Sequence, residues 1–142
     1  MRSARRGSTV IEFAIVTFLL LLVIFAGIEL DRAVFVYTNL ADATKAGIRY
    51  AITHGANRST GGNAVDGPSG PGNTTQVETL IQNYALAVNK ANLTVTVTYP
   101  DGDNNTGSRV KAVVQYTYDP WVRLPFPTGL QLSAASEGII AF

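Results

Sequence analysis

The chain opens with a long apolar stretch and then changes to a mixed pattern of polar and apolar residues. From Phe13 to Ile28 there is no charged residue, and Thr17 is the one clearly polar side chain. A helix over residues 8–28 would be about 31 Å long, which matches the hydrocarbon core of a bilayer at about 30 Å. The pattern therefore predicts a transmembrane helix over residues 8–28.

Beyond this span a helical pattern continues to residue 54, and no proline interrupts it. Mostly apolar residues recur at alternating steps of four and three, as on one face of a helix: Leu30, Val34, Tyr37, Ala41, Thr44, Ile48 and Ala51. We therefore expect one helix of about 70 Å whose second half, residues 29–54, is amphipathic.

Local signals on this second half predict two ion pairs and a helix end. Opposite charges three residues apart indicate surface pairs worth a few tenths of a kcal/mol each: Glu29 with Arg32, and Asp42 with Lys45. His54 and Gly55 indicate the C-terminal cap, with Gly55 as the first residue past the helix.

Residues 55–74 are rich in Gly, Pro and Asn and have few hydrophobic side chains. Such a segment buries too little apolar surface to offset the entropy of ordering, so we expect a flexible loop. A short helix follows, because Thr75 as N-cap and Glu78 three residues later form a capping box. Its apolar stripe should pack on the sheet, and residues 89–92 should end it: Val77, Leu80, Ile81, Tyr84 and Val88.

Three later segments have the alternation of β-strands. In residues 93–99, Leu, Val and Tyr alternate with Thr, and residues 109–118 repeat the alternation. Residues 130–140 supply a third strand, in which Gly138 suggests a bulge or bend. Residues 119–127, rich in Pro and aromatic side chains, connect the second strand to the third.

These elements predict an α+β fold. The long N-terminal helix, with its first half in the membrane, packs on a small antiparallel three-stranded sheet, and the short extra helix covers that sheet. Residues 75–142 form the extracytoplasmic part.

Charge sets the expected orientation. Arg2, Arg5 and Arg6 precede the span with no acidic residue among them, so the positive-inside rule places the N-terminus in the cytoplasm.

The formal charge is only +1, without a basic patch, which argues against nucleic acid as a partner. The absence of cysteine excludes disulfides and thiolate metal sites. A secretory signal peptide, cut near Ala26 or Ala33, is the alternative interpretation of the N-terminal segment.

Glu12 lies one turn inside the apolar run, where an unpaired carboxylate costs up to about 3 kcal/mol. It either reaches back to the headgroups, becomes neutral, or meets a positive charge. A cut after Gly7 would create an α-amino group at Ser8 and make Glu12 the fifth residue of the new chain. In a stack of subunits, the Ser8 amine of one copy would then pair with the Glu12 carboxylate of another.

This arrangement resembles the leader of type IV pilins and pseudopilins, which has a short basic segment, Gly before the cut, and Glu at the fifth mature position. Here the matching residues are Arg5, Arg6 and Gly7, followed by Ser8 to Phe13. Phe13 directly after Glu12 resembles the Flp/Tad branch, in which an aromatic residue follows the Glu.

Residues 29–32 (ELDR), 46–51 (AGIRYA) and 54–55 (HG) extend the resemblance to the TadE-like family. That family has a Glu-x-x-Arg step after the membrane segment and an Arg-Tyr-Ala segment further on. Its members often carry a proline early in the apolar run, where this chain has Thr17 and Phe18. The match covers roughly residues 5–55.

The resemblance implies a pilin-like fold and a role as a structural or assembly subunit, a minor pilin or pseudopilin of a bacterial tight-adherence pilus. It implies a leader over residues 1–7, removed by a prepilin peptidase between Gly7 and Ser8, with Glu12 and Phe13 acting in assembly. The partners implied are the membrane, the peptidase, other pilin subunits and the assembly machinery. The precursor would lie in the bacterial inner membrane, with its C-terminal part periplasmic or extracellular in a pilus.

Two other functions fit the sequence: an uncleaved single-pass anchor that carries an extracytoplasmic binding module, and a secreted α+β domain. No motif indicates an enzyme or a cofactor.

Asp101, Asp103 and Asn105 have the spacing of the first ligands of a calcium loop, but Thr106 and Ala112 occupy the positions that need Gly and Glu. The same residue types are favoured in a hairpin turn, which is the interpretation we prefer.

Overall fold

The computed structural model describes residues 3–58, 68–121 and 129–141. Helix α1 runs from Ser3 to Thr53, which corresponds to about 77 Å, and confirms a single long N-terminal helix. It contains a stretch near the N-terminus that is long and apolar enough to cross a membrane, and none of that stretch is buried. The apolar half of α1 therefore projects away from the rest of the fold.

The second half of α1 packs on the sheet through a face that differs from the predicted one near the span. Thr44, Ile48 and Ala51 are buried as expected, but Leu30, Val34 and Tyr37 are exposed. The buried positions there are Glu29 and Val36, with Ala33 packed against the core. The predicted seam is wrong in this part because a straight helix drifts by about 20° per heptad against a strict seven-residue repeat.

The sheet is the predicted one. Strands β1 (Leu93–Thr98), β2 (Arg109–Tyr118) and β3 (Leu130–Ile139) form an antiparallel sheet in the order β1-β2-β3. The inward face carries the apolar alternation read from the sequence: Leu93, Val97, Val110, Ala112, Val114, Tyr116, Tyr118 and Ala134 are all buried. The fold is therefore α+β, with one helix laid along a three-stranded sheet.

Gly138 lies in regular register opposite Val110, so the predicted bulge is wrong. An added Cβ at Gly138 would lie 2.5 Å from Ile52 Cδ1 and 2.9 Å from Ile48 Cγ2. Glycine at this position allows α1 to approach the strand closely.

Helix α2 runs from Thr75 to Tyr84 and packs against α1 as well as β1. Its N-cap is Thr74, and the Thr74 side chain makes no capping hydrogen bond to the backbone. The Thr74 hydroxyl instead donates to the Glu78 carboxylate at 2.7 Å, so the predicted capping box with Thr75 as N-cap is wrong. Tyr84 is exposed and the helix ends there, earlier than expected. A 3-10 turn over Lys90–Asn92 leads into β1.

The close contact between α1 and α2 is at Gly47. A Cβ added there would lie 2.3 Å from Ile81 Cγ1 and 2.6 Å from its Cδ1. Val77 and Ile81 are fully buried in this contact. The short helix therefore covers the long helix as much as the sheet.

The C-terminal end of α1 is capped by a side chain. The Nδ1 atom of His54 lies 2.8 Å from the carbonyl oxygen of Tyr50, and the two rings stack at 3.7 Å. Gly55 does not adopt the left-handed φ of a C′ glycine, so that part of the predicted cap is wrong.

Part of the loop predicted over residues 55–74 packs on the domain. Ser69 is buried; its backbone N–H donates to the carbonyl of His54 at 2.7 Å, and its hydroxyl accepts from Tyr99 at 3.1 Å. Burial raises the pKa of Tyr99, and this hydrogen bond partly offsets the shift. Residues 59–67 of this loop, and residues 122–127 of the connection before β3, lie outside the described residues.

Candidate functional site at the N-terminal helix and its junction with the sheet

The predicted processing and assembly residues all lie on the projecting part of α1. Gly7 and Ser8 are helical in the backbone, about one turn before Glu12. Glu12 is exposed, and the Phe13 side chain is 72% exposed. From Glu12 to Glu29 the helix rises about 26 Å, so the structure does not bring the assembly residues near the domain. The exposed side chains of Glu12 and Phe13 are therefore accessible to a neighbouring chain or to lipid.

A charged cluster marks the point where α1 meets the sheet. Glu29, the residue directly after the span, is 2% exposed. Its carboxylate accepts hydrogen bonds from the Tyr118 hydroxyl, from Arg32 Nη1 at 3.1 Å, and from the backbone N–H of Trp121 at 3.3 Å. A buried carboxylate is stable only when it is paired and hydrogen-bonded in this way.

Arg32 covers the aromatic residues of the same cluster. Its guanidinium carbon lies 4.1 Å from the ring centroid of Trp121 and 5.1 Å from that of Tyr118. Both distances allow cation–π attraction. We call these four residues, Glu29, Arg32, Tyr118 and Trp121, the junction cluster.

The junction cluster perturbs the acidity of its tyrosine. Burial and, after it, the hydrogen bond that its hydroxyl donates to Glu29 together raise the pKa of Tyr118 to about 12. The phenol therefore stays protonated and remains a donor to the carboxylate at all ordinary pH values.

The sequence predicts the pair of Glu29 with Arg32, but it does not predict that Tyr118 and Trp121 join them or that Glu29 is buried. The Glu29–Arg32 pair is present, as is the exposed pair of Asp42 with Lys45 at 3.4 Å. In the first pair, however, the Glu29 carboxylate is buried against Tyr118 while Arg32 is partly exposed, so it is not a simple surface pair. The helical period indicates that Glu29 faces the sheet, because counting back from the buried Ala51 in steps of 3.6 residues reaches Ala33 and then Glu29.

The loop between β1 and β2 holds the residues considered for calcium. The Asp101 carboxylate accepts hydrogen bonds from the backbone N–H of Arg109 at 2.8 Å and from its Nη2 at 2.7 Å, and these bonds hold the pKa of Asp101 below its usual value. Asp103 accepts from the Ser108 hydroxyl and from the Asn105 N–H, with the same effect on its pKa. Within the described ranges, no three His, Asp or Glu side chains come together as metal ligands would. The hairpin turn stays the preferred interpretation of Asp101, Asp103 and Asn105, and calcium binding stays the alternative to be tested.

The comparisons with known proteins concern the same helix. No curated protein and no solved structure matches the chain significantly. The model of the family described as TadE-like protein matches residues 7–49. This range begins at Gly7, includes Glu12, Glu29 and Arg32, and ends before the sheet. Residues 7–49 are thus similar to the TadE-like family, and the resemblance predicted from the sequence is confirmed over this range.

Proposed function

We propose that the protein is a structural or assembly subunit, a minor pilin or pseudopilin, of a bacterial tight-adherence pilus. The observation that carries this proposal is the TadE-like match over residues 7–49, which associates the chain with the Tad pilus. In the structure the same range forms one continuous helix with an uncovered apolar half. A projecting apolar helix suits a subunit that is first held in lipid and then packed among other helices.

Before assembly, the span would hold the precursor in the inner membrane. Arg2, Arg5 and Arg6 keep the leader in the cytoplasm by the positive-inside rule. The sheet and α2 then lie on the periplasmic side. A prepilin peptidase cuts between Gly7 and Ser8, which removes these three arginines and takes the formal charge from +1 to −2.

After cleavage, Glu12 needs a positive partner, because a carboxylate in the apolar environment costs up to about 3 kcal/mol. Its exposure on α1 leaves it accessible to a neighbouring chain. The new α-amino group at Ser8 of an adjacent copy supplies the matching charge. Pairing within a low dielectric strengthens the attraction and also orients the two helices.

The junction cluster makes the domain and the helix move together. Glu29 and Arg32 belong to α1, while Tyr118 ends β2, and their contacts are buried or partly buried. Forces on the projecting helix during assembly are therefore passed to the sheet without a flexible linker between them.

N-terminal sequencing of the protein recovered from cells, with and without the prepilin peptidase, tests the processing step. We expect the mature chain to begin at Ser8 when the peptidase is present. A start at Met1 or Arg2 would instead indicate an uncleaved anchor, and a start beyond Ala26 a secreted domain. Either of these two results would contradict the proposal.

Two glycines of α1 provide a matched pair of variants. Gly7→Val should leave the precursor uncut, because a side chain is placed at the scissile bond. Gly27→Val changes the same residue type in open space, with nothing within 4 Å of the added Cβ, and should be processed normally. Equal processing of the two variants would count against cleavage after Gly7.

Glu12→Ala and the isosteric Glu12→Gln test the pairing separately from the cut. Both variants should be processed to Ser8 and yet enter pili poorly, because the carboxylate has been removed. Asp31→Ala removes an exposed carboxylate beyond the span and should assemble normally. Normal incorporation of Glu12→Gln, measured by immunoblotting of sheared pili, would show that the charge is not needed.

A further inference from the structure

The junction cluster lies at the height of the lipid headgroups if residues 8–28 cross the bilayer. The span ends at Ile28, and the helix rises about 6 Å from there to Arg32. The headgroup layer on each side of the hydrocarbon core is about 5–8 Å thick. Arg32, and the indole stacked on it, therefore fall within that layer.

Trp121 is held in place yet exposed. Its side chain is 79% exposed, although its backbone N–H is bonded to Glu29 and one face of its ring is covered by Arg32 at 4.1 Å. An indole combines a large apolar ring with one N–H donor, and such amphipathic rings concentrate where apolar and wet environments meet. A fixed, exposed indole at this height is oriented for the membrane interface.

Exposed apolar residues lie next to the junction cluster along the chain and in the sheet. Ile28 and Leu30 are exposed on α1. Leu130, which pairs with Tyr118 at the end of the sheet, is exposed as well. Exposed apolar side chains are therefore present on α1 just beyond the span and at the same end of the sheet.

We propose that Trp121 inserts into the headgroup layer of the membrane and docks the sheet on the bilayer surface before assembly. The proposal rests on the anchoring of the chain by residues 8–28. The positive charge of Arg32 is offset by Glu29 within the cluster, and Asp119 adds a negative charge nearby. The partner is therefore a neutral, zwitterionic lipid surface, and anionic lipid is not required.

Trp121 is the single tryptophan of the chain, so tryptophan fluorescence reports on this side chain alone. The test uses the full-length chain reconstituted in phosphatidylcholine vesicles, with brominated phosphatidylcholines as quenchers. Bromine placed near the headgroup end of the acyl chains should remove most of the emission, and bromine near the bilayer centre should remove much less. The emission should also lie at shorter wavelength than that of a water-exposed indole, and replacing part of the lipid by phosphatidylglycerol should not change it.

A second tryptophan position supplies the matched control. The double variant Trp121→Phe with Ile139→Trp moves the reporter to an exposed residue at the opposite end of β3, about 30 Å from Leu130. Its emission should be quenched by aqueous iodide and not by brominated lipid.

Three results would overturn the docking. Quenching of Trp121 by iodide but not by bromine would place it in water. Blue-shifted emission insensitive to both quenchers would place it against protein, as in contact with a second copy. Chains that fail to float with vesicles in a density gradient would contradict the anchoring and the docking together. Flotation with a water-exposed Trp121 would contradict the docking alone and leave the proposed function standing.

Discussion

The hydroxyl of Tyr118, the last residue of β2, donates a hydrogen bond to the carboxylate of Glu29, which lies 89 positions earlier in the chain. Glu29 is the first residue after the apolar span, so this bond joins the end of the transmembrane segment to the end of the central strand. A shift of α1 by one residue along the sheet would separate the two groups. The pair therefore helps to fix the register between helix and sheet.

Tyr118→Phe should destabilise the fold. A hydrogen bond to a charged group contributes about 1.5–3 kcal/mol, and its loss leaves the Glu29 carboxylate with one donor fewer in a buried site. The free energy of unfolding, measured by urea denaturation of the full chain in detergent, should fall by that amount. Tyr84→Phe removes the hydroxyl of an exposed tyrosine and should change it by no more than about 0.5 kcal/mol. Equal stability of the two variants would refute the role given to the Tyr118–Glu29 bond.

The raised pKa of Tyr118, about 12 against an ordinary value of 10.0, makes stability depend on alkaline pH. The folded state keeps this proton to higher pH than the unfolded state does. The corresponding stabilisation is therefore complete below a pH of about 10 and is lost as the pH rises through about 12. In Glu29→Gln the pKa should fall but stay above the ordinary value, because burial is the larger cause of the shift.

The absorbance of the phenolate measures this directly. The difference between the titration curves of the chain and of Tyr118→Phe isolates the one tyrosine, and the same difference in a Glu29→Gln background gives the effect of the carboxylate. A midpoint for Tyr118 near 10 in the unsubstituted chain would contradict the buried, carboxylate-bound phenol.

Local patterns along the sequence predicted most of the fold. The alternation in residues 93–99 and 109–118 identifies both strands and their buried faces, because side chains alternate across a strand whatever its neighbours are. The uninterrupted helix over Ser3–Thr53 follows in the same way from the absence of proline within the predicted range. The seam near Leu30 was wrong because a small error in helical period accumulates over three heptads.

The candidate site likewise has one part that the sequence predicts and one part that depends on the folded structure. Gly7, Ser8 and Glu12 are recognisable because their meaning depends on spacing along the chain. The partnership of Glu29 with Tyr118 and Trp121 depends on which end of β2 meets which turn of α1, and no local pattern contains that information. The contact of Gly47 with Ile81 was missed for the same reason, although an isolated Gly in a helical pattern often has a packing cause.

Gly47→Ala should destabilise the protein although alanine is the better helix former by about 1 kcal/mol. The added methyl group would overlap Ile81, whose Cγ1 lies 2.3 Å from the ideal Cβ position, and overpacking of this kind costs about 1–3 kcal/mol. We expect a net loss of up to about 2 kcal/mol in the free energy of unfolding. Thermal or urea unfolding of the full chain in detergent measures it.

The test of this overlap is a double-mutant cycle with Ile81→Ala. Ile81→Ala alone should cost about 2–5 kcal/mol, because it opens a cavity in the core. Combined with Gly47→Ala it should cost less than the sum of the two, since the new methyl group then has room. Gly27→Ala, in open space on the same helix, is the control for helix propensity. Additive losses in the cycle would mean that Gly47 and Ile81 do not compete for the same volume.

Calcium should leave the stability of the chain unchanged. The guanidinium of Arg109 contacts both carboxylate oxygens of Asp101, with Nη2 at 2.7 Å from Oδ1 and Nε at 3.2 Å from Oδ2, so a cation already occupies this carboxylate. A calcium ion present at a hundred times its dissociation constant would raise the free energy of unfolding by about 2.7 kcal/mol, which a thermal melt in millimolar calcium detects readily. Magnesium at the same concentration controls for ionic strength.

The variant Arg109→Gln tests why calcium has no effect. If calcium stabilises only this variant, the guanidinium of Arg109 excludes the ion in the unsubstituted chain. If calcium stabilises neither chain, the loop lacks the remaining ligands. Stabilisation of the unsubstituted chain by calcium but not by magnesium would instead make Asp101, Asp103 and Asn105 a binding site.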